Sequence, residues 1–412
     1  MQCFRKIGSD RFWVGGNDRR LALFENVYPI PRGVSYNAYL VADERTVLLD
    51  TVDQAVAGQF FENLDAALAG RSLDDVVINH MEPDHAATLG ELVRRYPQVR
   101  VICNERARNM IGQFFPAGCE GGCVGLGGDD RFLIMKDGDT YSSGRHTFTF
   151  IFAPMVHWPE VMVTYDTAEK VLYSADAFGT FGALGGNLYA DEMDFPGQWL
   201  ADARRYYTNI VGKYGPQVQN LLKKAAAIEI GEICPLHGPI WRKNIAWFVE
   251  KYDHWSRYEP EDREVLVVYG SIYGHTASAA ERLAAELAES GLRNVAVHDV
   301  SVTHPSELVA EAFRCSHLVL ASVTYNGGLF TPMEIFLREL AAHNLQNRVV
   351  AMIQNGSWAP MAVRHMNAIL EPLKNTKILE PVVTIRSSAG PDQLAEIAQL
   401  ARAIAESVGV KG

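Results

Sequence analysis

Residues 35–51, SYNAYLVADERTVLLDT, set two apolar runs on either side of a polar turn at 42–45, which predicts a β-hairpin. Residues 54–70, QAVAGQFFENLDAALAG, then space their apolar positions three and four apart and stop at Gly70, the pattern of an amphipathic helix. Short apolar runs predict further strands at 76–78, 98–102, 147–153, 161–165, 171–174 and 228–234. Together they make a half in which antiparallel and parallel strands are mixed. The pattern changes after the charged, proline-bearing stretch at 258–263. From there, apolar runs (EVLVVYG, VAVHDV, HLVLAS, RVVAMIQ, ILEPVVTI) alternate with helical segments, ending in DQLAEIAQLARAIAES. Five strands separated by helices predict a doubly wound parallel sheet. The domains are read as 1–258 and 263–412.

Composition narrows the function. The 412 residues are 48% hydrophobic, no apolar run is long enough to span a membrane, and the N-terminus has no signal-peptide core. A net charge of −11 without a basic stripe argues against nucleic acid as a partner. Six cysteines in such a chain make no disulfide framework, which points to a reducing, cytoplasmic setting. Cys119 and Cys123 match neither zinc-knuckle nor iron–sulfur spacing.

In an open parallel sheet, ligands bind beyond the C-terminal ends of the strands. The first strand of the second half ends in Ser271, Ile272, Tyr273, Gly274, His275 and Thr276, where hydroxyls and a helix N-terminus can cradle a phosphate. The third ends in Val323, Thr324, Tyr325, Asn326 and Gly327, and the fourth in Asn355, Gly356, Ser357 and Trp358. Glycines permit close approach, and Tyr325 and Trp358 offer faces for a planar ring. These three loops resemble the FMN site of flavodoxins, with His275 where asparagine is common.

The first half carries a different chemistry. Residues 80–85, HMEPDH, hold His80, Glu82, Asp84 and His85, too dense a set for one ion and suggestive of two. His157, Asp176 and His237 each follow a predicted strand. Four imidazoles and three carboxylates sum to −3 against +4 for two divalent ions, a balance that one bridging hydroxide would close. Asp176 is the natural carboxylate bridge. Nitrogen and oxygen ligation without thiolate suits iron, manganese or zinc. His146, His254, His275, His298, His304, His317, His343 and His365 lack this placement and read as surface or capping residues.

This half resembles the metallo-β-lactamase fold, whose hydrolases carry H-x-H-x-D-H, but Glu82 replaces the second histidine. H-x-E-x-D-H, with the surroundings HWP (157–159), SADAFG (174–179) and HGPIW (237–241), joined to a flavodoxin-like domain, resembles the flavodiiron proteins. The resemblance implies an αββα sandwich followed by a flavodoxin-like sheet, and FMN with two non-haem irons as cofactors. It implies that His80, Glu82 and His157 hold the iron nearer the flavin. Asp84, His85 and His237 would then hold the other, with Asp176 bridging. The implied reaction is reduction of dioxygen to water, of nitric oxide to nitrous oxide, or both. Electrons would come from rubredoxin or another small donor, or from a reduced deazaflavin, into a head-to-tail homodimer or dimer of dimers. No fused donor module is expected after the flavodoxin-like half. A zinc hydrolase of the β-lactamase fold carrying a flavodoxin domain is the competing reading.

Overall fold

The computed structural model describes residues 2–116, 126 and 128–409, and Cys119 and Cys123 lie outside these. Two compact units emerge: residues 1–207 with 216–253, and residues 208–215 with 254–412.

The first unit is built on two mixed sheets. One runs in the order Arg5–Lys6, Arg11–Trp13, Tyr39–Ala42, Thr46–Leu49, Asp75–Val77, Arg100–Asn104, Phe132–Met135. The expected hairpin is there, with Tyr39 opposite Leu49 and Ala42 opposite Thr46. The last four strands run parallel to one another. The second sheet runs Thr140–Ser142, Thr147–Phe152, Met162–Asp166, Val171–Tyr173, Glu232–Cys234. Strands Thr46–Leu49, Asp75–Val77, Met162–Asp166 and Val171–Tyr173 are buried at every position, so each sheet is covered on both faces. That burial explains their continuous apolar character. Tyr39 of the first sheet meets Tyr173 of the second with ring centroids 5.5 Å apart. Helix Ala57–Leu68 buries Phe60, Phe61, Leu64 and Leu68, the face its spacing predicted.

Two predicted strands move. The run at 228–234 forms a strand only at Glu232–Cys234, because its partner Val171–Tyr173 offers three residues of ladder. The run at 98–102 becomes Arg100–Asn104, since Val99 closes a turn onto the Tyr96 carbonyl.

The second unit has a parallel sheet in the order Ala296–Asp299, Asp262–Gly270, Cys315–Tyr325, Val349–Asn355, with the fifth strand split into Lys377–Ile378 and Val383–Ile385. Strand alternation sorts its core into two layers. Val265, Val267, Val319, Ala321, Ala351 and Ile353 meet helices His275–Glu289 and Pro391–Val408. Leu266, Val268, Leu318, Leu320, Val350 and Met352 meet helices Pro305–Arg314, Thr331–Ala342 and Ala362–Leu370. This two-residue period between two helical layers is what a doubly wound sheet requires.

Candidate functional site

The metal-binding candidates of the first unit come from five places that the chain itself separates. His80 follows strand Asp75–Val77. Glu82 stands at the N-cap of the short helix Pro83–Ala86, where Pro83 sets the first helical φ, and Asp84 and His85 sit on that turn. His157 follows strand Thr147–Phe152, Asp176 follows Val171–Tyr173, and His237 follows Glu232–Cys234. Ala175, just before Asp176, is held at φ 51, a left-handed conformation that costs about 1 kcal/mol or more outside glycine.

The seven side chains form two adjoining clusters. In one, His80 Nε2 lies 3.2 Å from Glu82 Oε2 and 3.3 Å from Asp176 Oδ2, and His157 Nε2 lies 3.0 and 3.2 Å from the same two oxygens. In the other, Asp84 Oδ2 lies 3.3 Å from His85 Nε2 and 3.2 Å from His237 Nε2, while Asp176 Oδ1 is 3.0 and 3.6 Å from these nitrogens. Asp176 thus turns one oxygen to each cluster.

Both Asp84 oxygens, Asp176 Oδ1, His85 Nε2 and His237 Nε2 are buried without a hydrogen-bond partner. An orphaned buried polar group costs about 1–3 kcal/mol. Five of them aimed at one another fit a pair of cations, which would satisfy them all. Without cations the imidazoles take up the role. Burial opposes charge on His85, but Asp84 and Asp176 outweigh it and hold the group up at about 9. His157 is likewise opposed by burial and lifted to about 9 by Asp176 and Glu82. Burial would raise Asp176, yet His85, His157 and His80 hold it well below the ordinary carboxylate range.

Backbone and side-chain acceptors orient the rings. His237 Nδ1 donates to the Ser35 carbonyl at 2.8 Å, and the Gly238 amide to Ser35 Oγ at 2.7 Å. Phe24, Tyr206 and Tyr36 stand 5.4, 5.5 and 5.6 Å from the His237 ring, and Trp158 stands edge-on 5.4 Å from His80. These rings give the clusters an apolar wall.

Sequence reasoning missed Glu160. It is 1% exposed, and its Oε1 accepts from His80 Nδ1 at 2.8 Å and from the Met81 amide at 2.9 Å. Burial opposes its ionisation, but the contact with His80 keeps its pKa lowered. The set is then −4, which balances two divalent ions without the hydroxide. A carboxylate three residues after His157 was the available signal. Glu25 was missed as well: its residue is exposed, but its carboxyl faces Glu82 and is raised to about 8 by desolvation and by that charge. His146, expected in a surface or capping role, is fully buried between Asp166 and Asp10.

In the second unit the three expected loops enclose a cavity of about 670 Å³. Ser271, Ile272, Tyr273, His275 and Thr276 line it, with Val323 to Gly327 and Asn355 to Trp358. Gly274 does not line it; at φ 90 it turns the chain into helix His275–Glu289, its amide donating to Ser271 Oγ. Ala359 and Ser387 join the lining, the latter beyond the fifth strand and without a sequence cue. Tyr273 and Trp358 are 90% and 87% exposed, large aromatic faces left open where a planar ring would cover them. Among the described residues no lysine or arginine lines the cavity, so amides and hydroxyls at the helix start are what remains for a phosphate.

The chain matches the ODP family of beta-lactamases over residues 34–238 and the flavodoxin family over residues 267–400. It is 29% identical over 391 residues to the anaerobic nitric oxide reductase flavorubredoxin of Vibrio vulnificus, covering 92% of this chain and 74% of that one. The structure of rubredoxin oxygen:oxidoreductase from Desulfovibrio gigas superposes with a TM-score of 0.89 at 25% identity, covering 98% of both chains. This chain is a flavodiiron protein. An uncharacterised protein of Methanocaldococcus jannaschii is also similar, at 26% identity over 97% of this chain and 98% of that one. The flavodiiron fold is accordingly a metallo-β-lactamase-like αββα domain followed by a flavodoxin-like one, and its cofactors are FMN and a non-haem diiron pair.

Proposed function

We propose that this flavodiiron oxidoreductase reduces dioxygen to water, nitric oxide to nitrous oxide, or both. The observation that carries the reading is Asp176, whose two oxygens face separate imidazole–carboxylate clusters in a chain that also holds a cavity lined by the three loops at 271–276, 323–327 and 355–358. In this reading the diiron domain is residues 1–258 and the FMN domain 263–412. His80, Glu82 and His157 hold one iron, Asp84, His85 and His237 the other, and Asp176 both. The loops at 271–276, 323–327 and 355–358 hold FMN.

When bound, FMN would supply one-electron transfer and the iron pair a redox-active site for a diatomic molecule. The chain supplies the rest. Glu160 and the Ser35 carbonyl hold the Nδ1 protons of His80 and His237, so each ring turns its Nε2 lone pair inward. Phe24, Tyr36, Tyr206 and Trp158 limit water around the clusters. Glu82 in place of a histidine supplies a harder, anionic oxygen, which supports iron over the zinc of a hydrolase. The electron donor in this reading is rubredoxin or a similar small carrier, with reduced deazaflavin as the other option. The working assembly is a head-to-tail homodimer or dimer of dimers, in the cytoplasm. No helix among the described residues is long and apolar enough to cross a membrane.

The test is metal analysis of anaerobically purified protein, followed by oxygen- and nitric-oxide-electrode turnover with a reduced donor. About two irons per chain with turnover of either gas is expected. Two zincs persisting under iron-replete expression, with no turnover, would sink the reading.

A further inference from the structure

Strand Cys315–Tyr325 folds straight back into Gly328–Leu329, with Tyr325 paired to Gly328. Between them Asn326 and Gly327 make a two-residue turn at φ 50 and 71. Both central residues have positive φ, as a type I′ turn requires, and Asn-Gly is a pair well suited to it. Both also line the flavin cavity.

The turn is tied down from the segment that opens helix Ala362–Leu370. The Met361 amide donates to Thr324 Oγ1 at 2.8 Å, and His365 Nε2 lies 3.2 Å from the Gly327 carbonyl oxygen. A carbonyl only accepts, so His365 carries its proton on Nε2. His365 does not line the cavity, so this bond directs the Gly327 carbonyl away from the ring's space. Reduction adds a hydrogen or a negative charge to a flavin ring, so the direction of a peptide dipole beside it biases the redox equilibrium. A carbonyl free to swing toward the ring would favour forms that have gained an N–H donor.

We propose that His365 is a positioning residue of the flavin site: by holding the Gly327 carbonyl outward it keeps the Asn326–Gly327 turn in one orientation and sets the potential of the bound flavin. The inference rests on the FMN reading of the cavity. The test uses the full-length holoprotein, wild type, His365→Ala and His365→Gln, with FMN dissociation constants and spectroelectrochemical titration of both one-electron couples.

His365→Ala is expected to tighten binding of the one-electron-reduced relative to the oxidised flavin by about three- to tenfold, the worth of one net hydrogen bond. A tenfold change raises the oxidised/semiquinone potential by about 59 mV. His365→Gln, whose amide keeps a donor, restores part of the wild-type value. Unchanged potentials in His365→Ala overturn the proposal. So does an equal loss of affinity for oxidised and reduced flavin, which would mark a merely structural contact. Wild-type protein unable to bind FMN would instead sink the cofactor reading, and this proposal with it.

Discussion

Glu160 offers a quantitative test of how the protein orients the imidazoles proposed to hold the metal pair. Its Oε1 is the acceptor for two buried donors, His80 Nδ1 and the Met81 amide, while its Oε2 is buried and without a hydrogen-bond partner. Glu160→Ala removes both bonds at a site closed to bulk solvent, since His80 is 0% exposed. Hydrogen bonds to a charged group contribute about 1.5–3 kcal/mol each, so the variant should lose about 3–6 kcal/mol of folding stability. Losing the group that orients a ligating histidine costs about 10–100-fold in metal affinity. Glu160→Gln separates the two effects. Its amide oxygen can still accept both bonds, but the negative charge is gone and an NH₂ replaces an oxygen that has no partner. It should cost about 1–3 kcal/mol in stability and about tenfold in iron affinity. The assay is iron retention against a ferrous chelator in anaerobic protein, with FMN content as internal control and thermal denaturation alongside. Should Glu160→Ala hold both irons as tightly as wild type, the proposed role of Glu160 in fixing His80 is wrong.

Three further outcomes follow from other contacts. Gly238 has φ 79, and a Cβ there would stand 2.3 Å from Thr180 Cγ2; Gly238→Ala should displace His237, lower stability by about 2–4 kcal/mol and deplete iron, measured by denaturant titration and metal content. Trp358→Ala should weaken FMN binding about two- to tenfold, the usual worth of an aromatic contact, while iron content stays at the wild-type level in the same sample. His146 Nδ1 lies 2.6 Å from Asp166 Oδ2 and Nε2 3.2 Å from Asp10 Oδ2. Burial opposes its charge but the carboxylates prevail, so its pKa is raised above 6.5. A raised pKa contributes stability fully below the unfolded value and loses it as pH rises through the folded one. Melting temperature should therefore fall from pH 6 toward alkaline pH more steeply in wild type than in His146→Gln, and parallel curves would refute the pairing.

The chain by itself determined most of what a local pattern can carry. Regular alternation of apolar strands and amphipathic helices after residue 263 specifies a doubly wound sheet, because each strand must bury both faces against helices. Six residues from His80 to His85 concentrate ligand chemistry that few other functions need, and His157, Asp176 and His237 announce themselves by standing just past strands. What local pattern does not record is which distant segments meet. The short strands Arg5–Lys6 and Arg11–Trp13 have too few residues for a period, and only their pairing to Tyr39–Ala42 makes them strands. Nothing in the run of residues 208–215 marks it as joining the second unit, where Asn209 donates to the Ser306 carbonyl. The division of seven candidates into two clusters through the two oxygens of Asp176 is likewise a tertiary fact. So is the choice of Glu160 as the partner of His80, eighty residues away. Hydrophobic period reports how each segment is buried; directional hydrogen bonds and charge pairs depend on positions that only the packed sheets bring within 3 Å.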